Sequence, residues 1–358
     1  FSNKLSQYLE SNQNLQKDVK KYVQNWIKEG LIDWDITRDI SWGVPIPVDD
    51  EKGKVFYGWF DNHLAYISSA IKFLNDTGKD GKKFWNESDI YHFIGKDIVY
   101  HHYLFLPAMR LGIGEEYKLP DYIPTRGHLT LQSKKISKSR NWYIGLKDFL
   151  RIFPADYLRF YLISINSYSQ DDLNFDWDEF ATKINSELIG NFGNLVNRAL
   201  GFTVKSFNGI VPDPDEFDNM DKESEKMIKE FVLDLGILME ENHLDRALKK
   251  ILQFSAHFNQ YFQHKEPWKK GPGTNSCVYL SVNAVRSLAV AIYPFLPKSS
   301  QKIWTQLGID GDVSAQRFDE ISNIVIKQGH KLGKVFPLFE KVEESVIEEQ
   351  KKKLETGI

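Results

Sequence analysis

A strand–helix–strand pattern between residues 90 and 131 limits the folds that this chain can adopt. IYHFIG (90–95) predicts a strand, DIVYHHYLFLPAMRLG (97–112) a helix, and YIPTRGHLTL (122–131) a strand that runs into a hairpin. This spacing is typical of parallel pairing in an α/β sheet. Upstream, the apolar run KVFYGWFD (54–61) predicts another buried strand.

The second half of the chain has the pattern of long amphipathic helices. Residues 184–200 form one apolar stripe at helical spacing, and further helices are predicted at 222–240, 244–263, 278–293 and 299–306. A chain of 358 residues exceeds what one hydrophobic core usually serves. We therefore expect an α/β part followed by an all-α bundle.

The composition excludes several classes of protein. The net charge is −3, so any binding to nucleic acid must use local patches. Cys277 is the only cysteine, which rules out an internal disulfide and any multi-cysteine zinc knuckle in this chain. The longest apolar run, 288–296, is about half a membrane span. We expect a cytoplasmic protein with no membrane contact, and the opening at Phe1 suggests a piece of a longer protein.

The stretch LQSKKISKSRNW (131–142), which we name the lysine loop, holds three lysines and an arginine around two alternating serines. On its own residues, a solvated basic loop is the commoner interpretation. The alternative is a loop that handles phosphate, and its place directly after the strand–helix–strand unit favours this alternative.

Six short motifs resemble, in the same order, those of one family. Each motif alone is weak, but six in order across both parts of the chain are specific, and the likeness ends near PLFEKVE (337–343). The motifs are WDITRDISWGVPIP (34–47), FYGWFDNHLAYIS (56–68), YHFIGKDIV (91–99), KISKS (135–139), NFGNLVNR (191–198) and KEPWK (265–269). With them the chain resembles the class I methionyl-tRNA synthetases.

The resemblance implies a fold and a set of boundaries. The fold is the second half of a split Rossmann fold, followed by a stem-contact segment and a helical-bundle anticodon-binding domain. The family's N-terminal histidine motif is missing, since HFIG (92–95) matches a different motif, so the chain resembles a C-terminal portion. The expected parts are the end of the connective insertion leading into the catalytic domain (1–50), the second Rossmann half with the lysine loop (51–140), the stem-contact segment (141–183), the anticodon-binding bundle (184–345) and a charged tail (346–358).

For the α/β part, the resemblance implies activation of L-methionine by ATP, with Mg²⁺ accompanying the ATP and no zinc site in this chain. A lysine ammonium can follow a moving phosphate as a point charge, which suits a growing negative charge on pyrophosphate. Without the resemblance, Trp59 and Ile98 would be core residues, His102 a satisfied helix histidine and Asp97 a helix cap. The implied residues are Lys135 and Lys138 for catalysis, Gly95, Asp97 and Ser137 for ATP, and Trp59, Tyr66, Ile98 and His102 for methionine.

For the bundle, the resemblance implies reading of the CAU anticodon of tRNA(Met) by Asn194, Arg198 and Trp268. Asn and Arg can hydrogen-bond base edges, and an exposed Trp can stack on an unpaired base. The alternative for an Asn/Arg pair at i and i+4 is ordinary surface polarity. The third implied partner is the missing N-terminal catalytic half, in the same polypeptide or as a separate chain, without which this chain is expected to be inactive.

The chain departs from the family at one place beside the implied methionine pocket. Asn62 and His63 replace small and rigid residues, since the family usually reads DAPIGY where this chain reads DNHLAY. Two alternatives therefore stay open: a paralogue that activates another amino acid, and a non-catalytic tRNA-binding fragment or paralogue.

Overall fold

The computed structural model describes residues 1–49, 52–114 and 117–356. The chain divides into two compact units, Phe1–His128 and Leu129–Ile358. The described elements of the first unit are the helices α1 (Ser2–Ser11), α2 (Lys17–Glu29), α3 (Gly58–Asp76), α4 (Gly81–Glu87) and α5 (Leu106–Gly112) and the strands β1 (Thr37–Arg38), β2 (Val55–Phe56), β3 (Ile94–Gly95) and β4 (Thr125–Arg126).

The core of the first unit lies between its N-terminal helices and the β3 region. Val19, Val23 and Ile27 follow one another at four-residue spacing, so α2 buries a single face. That face packs, together with α1, against Ile94 and Tyr103. Burial of each such side chain contributes about 1.5–3 kcal/mol, so the packing fixes the position of β3 and of the chain that follows it.

The strands β3 and β4 pair in parallel, with Ile94 opposite Thr125. This pairing confirms the parallel arrangement predicted from the sequence. Between them the chain forms a 3₁₀ turn (Lys96–Ile98), a π-helical segment (His101–Phe105) and α5.

The prediction of a strand over 54–61 is wrong beyond its first residues. Only Val55 and Phe56 are extended, and α3 begins at Gly58. A short apolar run cannot distinguish a buried strand from a buried helix by periodicity. In the structure the buried residues His63, Ile67 and Leu74 are spaced at whole turns of a helix, so α3 buries one face.

The second unit begins with a three-stranded sheet in which the central strand β5 (Leu129–Leu131) pairs with β6 (Lys134–Lys135) antiparallel and with β7 (Leu173–Phe175) in parallel. The β5–β6 turn places Gln132 and Ser133 at φ 47° and 61°, and Asn174 Oδ1 accepts a hydrogen bond from the Ser133 backbone N–H at 2.7 Å.

The rest of the second unit is helical and contains the larger core. At its centre, the helix α12 (Thr274–Ile292) is buried along almost its whole length. This helix is apolar and long enough to cross a membrane by composition, but 89% of that stretch is buried inside the protein, as expected of a core helix. The described helices are α6 (Leu146–Ile152), α7 (Ala155–Ile165), α8 (Trp177–Lys183), the π-helical segment Ile184–Gly193, α9 (Asn194–Phe207), α10 (Asn219–Glu240), α11 (Leu244–Lys265), α12 (Thr274–Ile292), α13 (Pro297–Gln306) and α14 (Glu344–Thr356).

Candidate functional site

In the first unit, imidazole rings collect around two of the residues implied for methionine binding. His101 packs 4.6 Å from the ring centre of Trp59, and His63 lies 5.7 Å from Trp59 and 5.4 Å from His102. His92 lies 5.5 Å from His102. We name His63, His92, His101 and His102 the histidine cluster; α3 supplies one of them, the β3 region another and the π-helical segment two.

A chain of hydrogen bonds joins three implied residues and fixes where the protons lie. His102 Nδ1 is 3.0 Å from the Ile98 carbonyl oxygen, and His102 Nε2 is 3.2 Å from the Tyr66 hydroxyl. A carbonyl oxygen only accepts, so in the neutral ring Nδ1 carries the proton and Nε2 accepts from Tyr66. The Tyr66 proton is thus committed to His102, and the pair offers only acceptor oxygen to a ligand.

The histidine cluster is held in its neutral form. Burial lowers the pKa of His63 to about 3, and the neighbouring His102 and His101 add to the effect. Burial also lowers the pKa of His92 to about 3 and shifts the pKa of His102 downwards. The four rings are thus neutral imidazoles beside an indole, and the charge of the buried Arg110 guanidinium also lowers the pKa of His63, His92 and His102.

Two histidines have unusual surroundings. His63 is 1% exposed, and both ring nitrogens of His63 and of His101 are buried without a hydrogen-bond partner in the part of the chain that the structure describes. The sequence motifs implied no site role for His63, His92 or His101. The doublet His101–His102 and the departure at His63 are the signals that could have identified them.

A cleft of about 310 Å³ opens beside the Tyr66–His102 pair. It brings Tyr66 and His102 together, whereas Trp59 and Ile98 are absent from its lining. Its other lining residues are Trp85, Ile90, Tyr91, His92, Phe93 and Ile94.

Gly95 and Asp97 form a second small constellation in the first unit. A Cβ on Gly95 would lie 2.6 Å from Asp97 Oδ1, so the carboxylate rests over the glycine. Asp97 lies inside the 3₁₀ turn, no side-chain cap is formed there, and its carboxylate is 3.6 Å from His128 Nε2. The exposed carboxylate is therefore free of the capping role that the sequence left open.

In the second unit, the lysine loop is closed by a pair of backbone hydrogen bonds. Ser137 and Trp142 exchange N–H···O bonds, both 2.9 Å long, and the Ser137 and Ser139 hydroxyls lie 3.1 Å apart. Lys135 and Lys138 are exposed, and neither forms an ion pair within the described residues of the structure. The loop thus presents two cations on a tight turn.

The residues implied for anticodon reading meet on one face of the bundle. The Arg198 guanidinium lies 5.0 Å from the ring centre of Phe262 and 5.9 Å from that of Trp268, which is 43% exposed. Asn194 donates to Asn259 Oδ1 at 2.9 Å, and Arg198 donates to Gln263 Oε1 at 3.0 Å. Asn194 and Arg198 are therefore oriented by α11 and half-buried, rather than freely solvated.

No cluster of three or more His, Cys, Asp or Glu side chains suited to a metal ion occurs over residues 1–49, 52–114 and 117–356. Within the histidine cluster, both ring nitrogens of His102 are already engaged, by the Ile98 carbonyl and the Tyr66 hydroxyl.

Comparison with known families assigns both parts of the chain. The family described as tRNA synthetases class I (M) matches residues 1–200, and the anticodon binding domain of methionyl tRNA ligase matches residues 211–357.

Curated relatives are similar over nearly the whole chain. A methionine–tRNA ligase of Methanopyrus kandleri is 39% identical over 98% of this chain and 52% of its own length. One of Pyrococcus horikoshii is 39% identical over 97% of this chain and 50% of its own. The chain thus spans about half the length of the curated relatives it matches.

Solved structures share the fold. A Mycobacterium tuberculosis methionyl-tRNA synthetase bound by methionyl-adenylate matches with a TM-score of 0.84 at 24% identity, covering 95% of this chain and 67% of that one. A second structure of that enzyme in complex with methionyl-adenylate gives 0.84 at 26% identity, covering 94% and 66%. Since the matched family covers more than half of its length, the chain belongs to the class I tRNA synthetases (M).

Proposed function

We propose that the complete polypeptide containing this chain is a methionine–tRNA ligase. The observation that carries the proposal is the set of neutral imidazole rings around Trp59 and the Tyr66–His102 pair. A thioether is apolar and polarisable, and it packs well against aromatic rings. A site lined by neutral aromatic rings, with the Tyr66 hydroxyl proton already engaged, suits such a side chain better than a polar one.

In the proposed reaction, the carboxylate of methionine attacks the α-phosphate of Mg²⁺·ATP. A new P–O bond forms methionyl-adenylate, and the bond to pyrophosphate breaks with its electron pair on the leaving oxygen. The exposed ammonium groups of Lys135 and Lys138 stabilise this growing charge, and more in the transition state than in the ground state. Ser137, whose backbone pairs with Trp142, holds the loop that presents them.

We further propose that Gly95 and Asp97 bind the ribose of ATP. The Asp97 carboxylate is exposed and lies 3.6 Å from His128 Nε2, so two ribose hydroxyls can donate to it. Methionine is then transferred from the adenylate to tRNA(Met), and AMP is released.

Recognition of tRNA belongs to the second unit in this proposal. Trp268 stacks on an unpaired base of the CAU anticodon, while Asn194 and Arg198, held by Asn259 and Gln263, hydrogen-bond base edges. An exposed indole next to a guanidinium is a common platform for single-stranded RNA.

The test is amino-acid-dependent ATP–pyrophosphate exchange by the complete polypeptide, measured with all twenty amino acids. We expect the highest kcat/KM for methionine, followed by charging of a tRNA transcript with a CAU anticodon and not of one with an altered anticodon. A different preferred amino acid would contradict the methionine assignment.

A second candidate, a non-catalytic RNA-binding module, is favoured by the unpartnered nitrogens of His63 and His101 beside Trp59. A pocket that has lost its ligand could keep such groups. Binding of a CAU stem–loop in the absence of exchange with any amino acid would support this candidate.

A further inference from the structure

A buried ion pair lies directly behind the turn that carries Trp268. Lys265 is the last residue of α11, and its side chain is 8% exposed. Its Nζ lies 2.6 Å from Asp221 Oδ1 and 2.7 Å from Asp218 Oδ2. Tyr261 donates its hydroxyl to the same Asp221 oxygen at 2.6 Å. We name Lys265, Asp218, Asp221 and Tyr261 the Lys265 anchor.

The anchor ties the end of one helix to the start of another. The Asp218 side chain caps α10 by accepting hydrogen bonds from the backbone N–H groups of Met220 and Asp221. In turn, the Asp221 side chain accepts a hydrogen bond from the Asp218 backbone N–H. Burial opposes the charge on Lys265, yet the hydrogen bonds to Asp218 and Asp221 outweigh it and raise the pKa of Lys265. The bond from Lys265 also lowers the pKa of Asp218. The pair is therefore held charged, in a fixed geometry.

The turn after Lys265 needs such a support. Glu266 and Lys270 flank the Pro267–Lys269 turn with φ of 44° and 54°, a backbone region that side-chain-bearing residues rarely adopt. Strained residues persist only where their surroundings hold them. Lys265 precedes the turn, and on its far side a Cβ on Gly273 would lie 3.2 Å from Lys265 Nζ. Lys265 thus adjoins the start of the turn through its backbone and lies close to Gly273, beyond the end of the turn, with its ammonium.

We propose that Lys265 is a positioning residue for RNA recognition: the anchor fixes the turn so that Trp268 faces outwards beside Arg198. The inference rests on the proposed role of Trp268 in stacking. Lys265 itself is too buried to meet RNA, so it acts through the turn. Its removal leaves Asp221, which is fully buried, without its cation.

A double-mutant cycle tests the inference in the complete polypeptide. Affinity for a CAU stem–loop is measured for the wild type, Lys265→Met, Trp268→Ala and the double variant. Lys265→Met should weaken binding about tenfold when Trp268 is present and less than about twofold when Trp268 is absent. The reason is that Lys265 affects RNA only through the position of the Trp268 indole, so its loss has little effect once the indole is gone. Methionine-dependent exchange is measured in the same four preparations.

The matched control is Arg286→Met. Arg286 is a buried cation of the same bundle, 2% exposed, and its guanidinium donates to the Glu320 carbonyl. Arg286→Met should lower the midpoint of thermal unfolding. It should change the affinity for RNA by the same small factor whether Trp268 is present or replaced by Ala. If Lys265→Met does not fold, Asp218→Asn removes the exposed half of the anchor and should show a weaker form of the same coupling.

Each outcome decides. Equal effects of Lys265→Met in both backgrounds, or none, overturn the inference and leave the proposed function intact. An unchanged affinity in Trp268→Ala overturns the stacking role and the inference with it, and exchange activity in the same preparation then tells whether the catalytic proposal survives.

Discussion

The ammonium of Lys134 lies 4.4 Å from the ring centre of Trp142, and the indole N–H of Trp142 donates to the Leu131 carbonyl at 2.9 Å. Lys134 thus stabilises the base of the lysine loop through a cation–π contact. All three lysines of the loop are exposed, but the contact with Trp142 separates Lys134, which braces the loop, from Lys135 and Lys138, which are available to a ligand.

The first prediction concerns Lys138. Replacing it with Ala in the complete polypeptide should slow methionine-dependent exchange by at least about tenfold, mainly in kcat, because its charge acts in the transition state. Lys134→Ala is the control, with the same loss of charge in the same loop and an expected change of less than about threefold. A drop of under tenfold for Lys138→Ala, or equal drops for the two variants, would sink the assignment.

The second prediction concerns Trp268. Its replacement by Ala should weaken binding of a CAU stem–loop by about one to two orders of magnitude, since stacking contributes about 1–3 kcal/mol per base. Phe336, another exposed aromatic residue of this unit (37% exposed), provides the control. Titration of a labelled stem–loop measures both, and equal affinities for wild type and Trp268→Ala would contradict the role.

The third prediction concerns Gly95. A methyl group there would collide with the Asp97 carboxylate, so Gly95→Ala should raise KM for ATP by about tenfold. KM for methionine should stay within about twofold. Gly112→Ala is the control, because its Cβ would meet only Phe1, at an ordinary 3.5 Å. The ribose assignment fails if Asp97→Asn and Gly95→Ala both leave KM for ATP unchanged.

The fourth prediction concerns pH. The pKa of His63 is about 3 in the folded protein against about 6.5 in an unfolded chain, and His92 behaves alike. Between these values the unfolded chain binds more protons, so stability is fully present above about pH 6.5 and is lost as pH falls towards 3.

Thermal unfolding between pH 7.5 and 4.5 measures this effect. The midpoint should fall on acidification, and less steeply in His63→Leu than in the wild type. His264→Gln, a change at an exposed histidine of the second unit, should keep the wild-type slope. Parallel curves for wild type and His63→Leu would show that His63 does not contribute.

The amino-acid sequence was enough to predict the family, the order of the α/β and all-α parts and the residues that carry the motifs. Parallel pairing of the strands predicted at 90–95 and 122–131 followed from periodicity and crossover length, which are local properties, whereas the register of Ile94 with Thr125 came from the structure. Gly95, Lys138 and Trp268 were predicted as site residues because their neighbours in sequence form recognisable motifs.

Contacts between side chains that are far apart in the sequence became visible in the folded structure. His63 and His101 are 38 positions apart in the sequence, yet their ring centres lie 5.7 Å apart, because α3 and the π-helical segment come together in the fold. Lys265 reaches Asp218 across 47 residues, and Asn194 reaches Asn259 across 65. Helical periodicity assigns a face to each residue but no partner, since the partner depends on which helices pack together. The environment of Trp59 and the support of Trp268 were therefore properties of the folded chain alone.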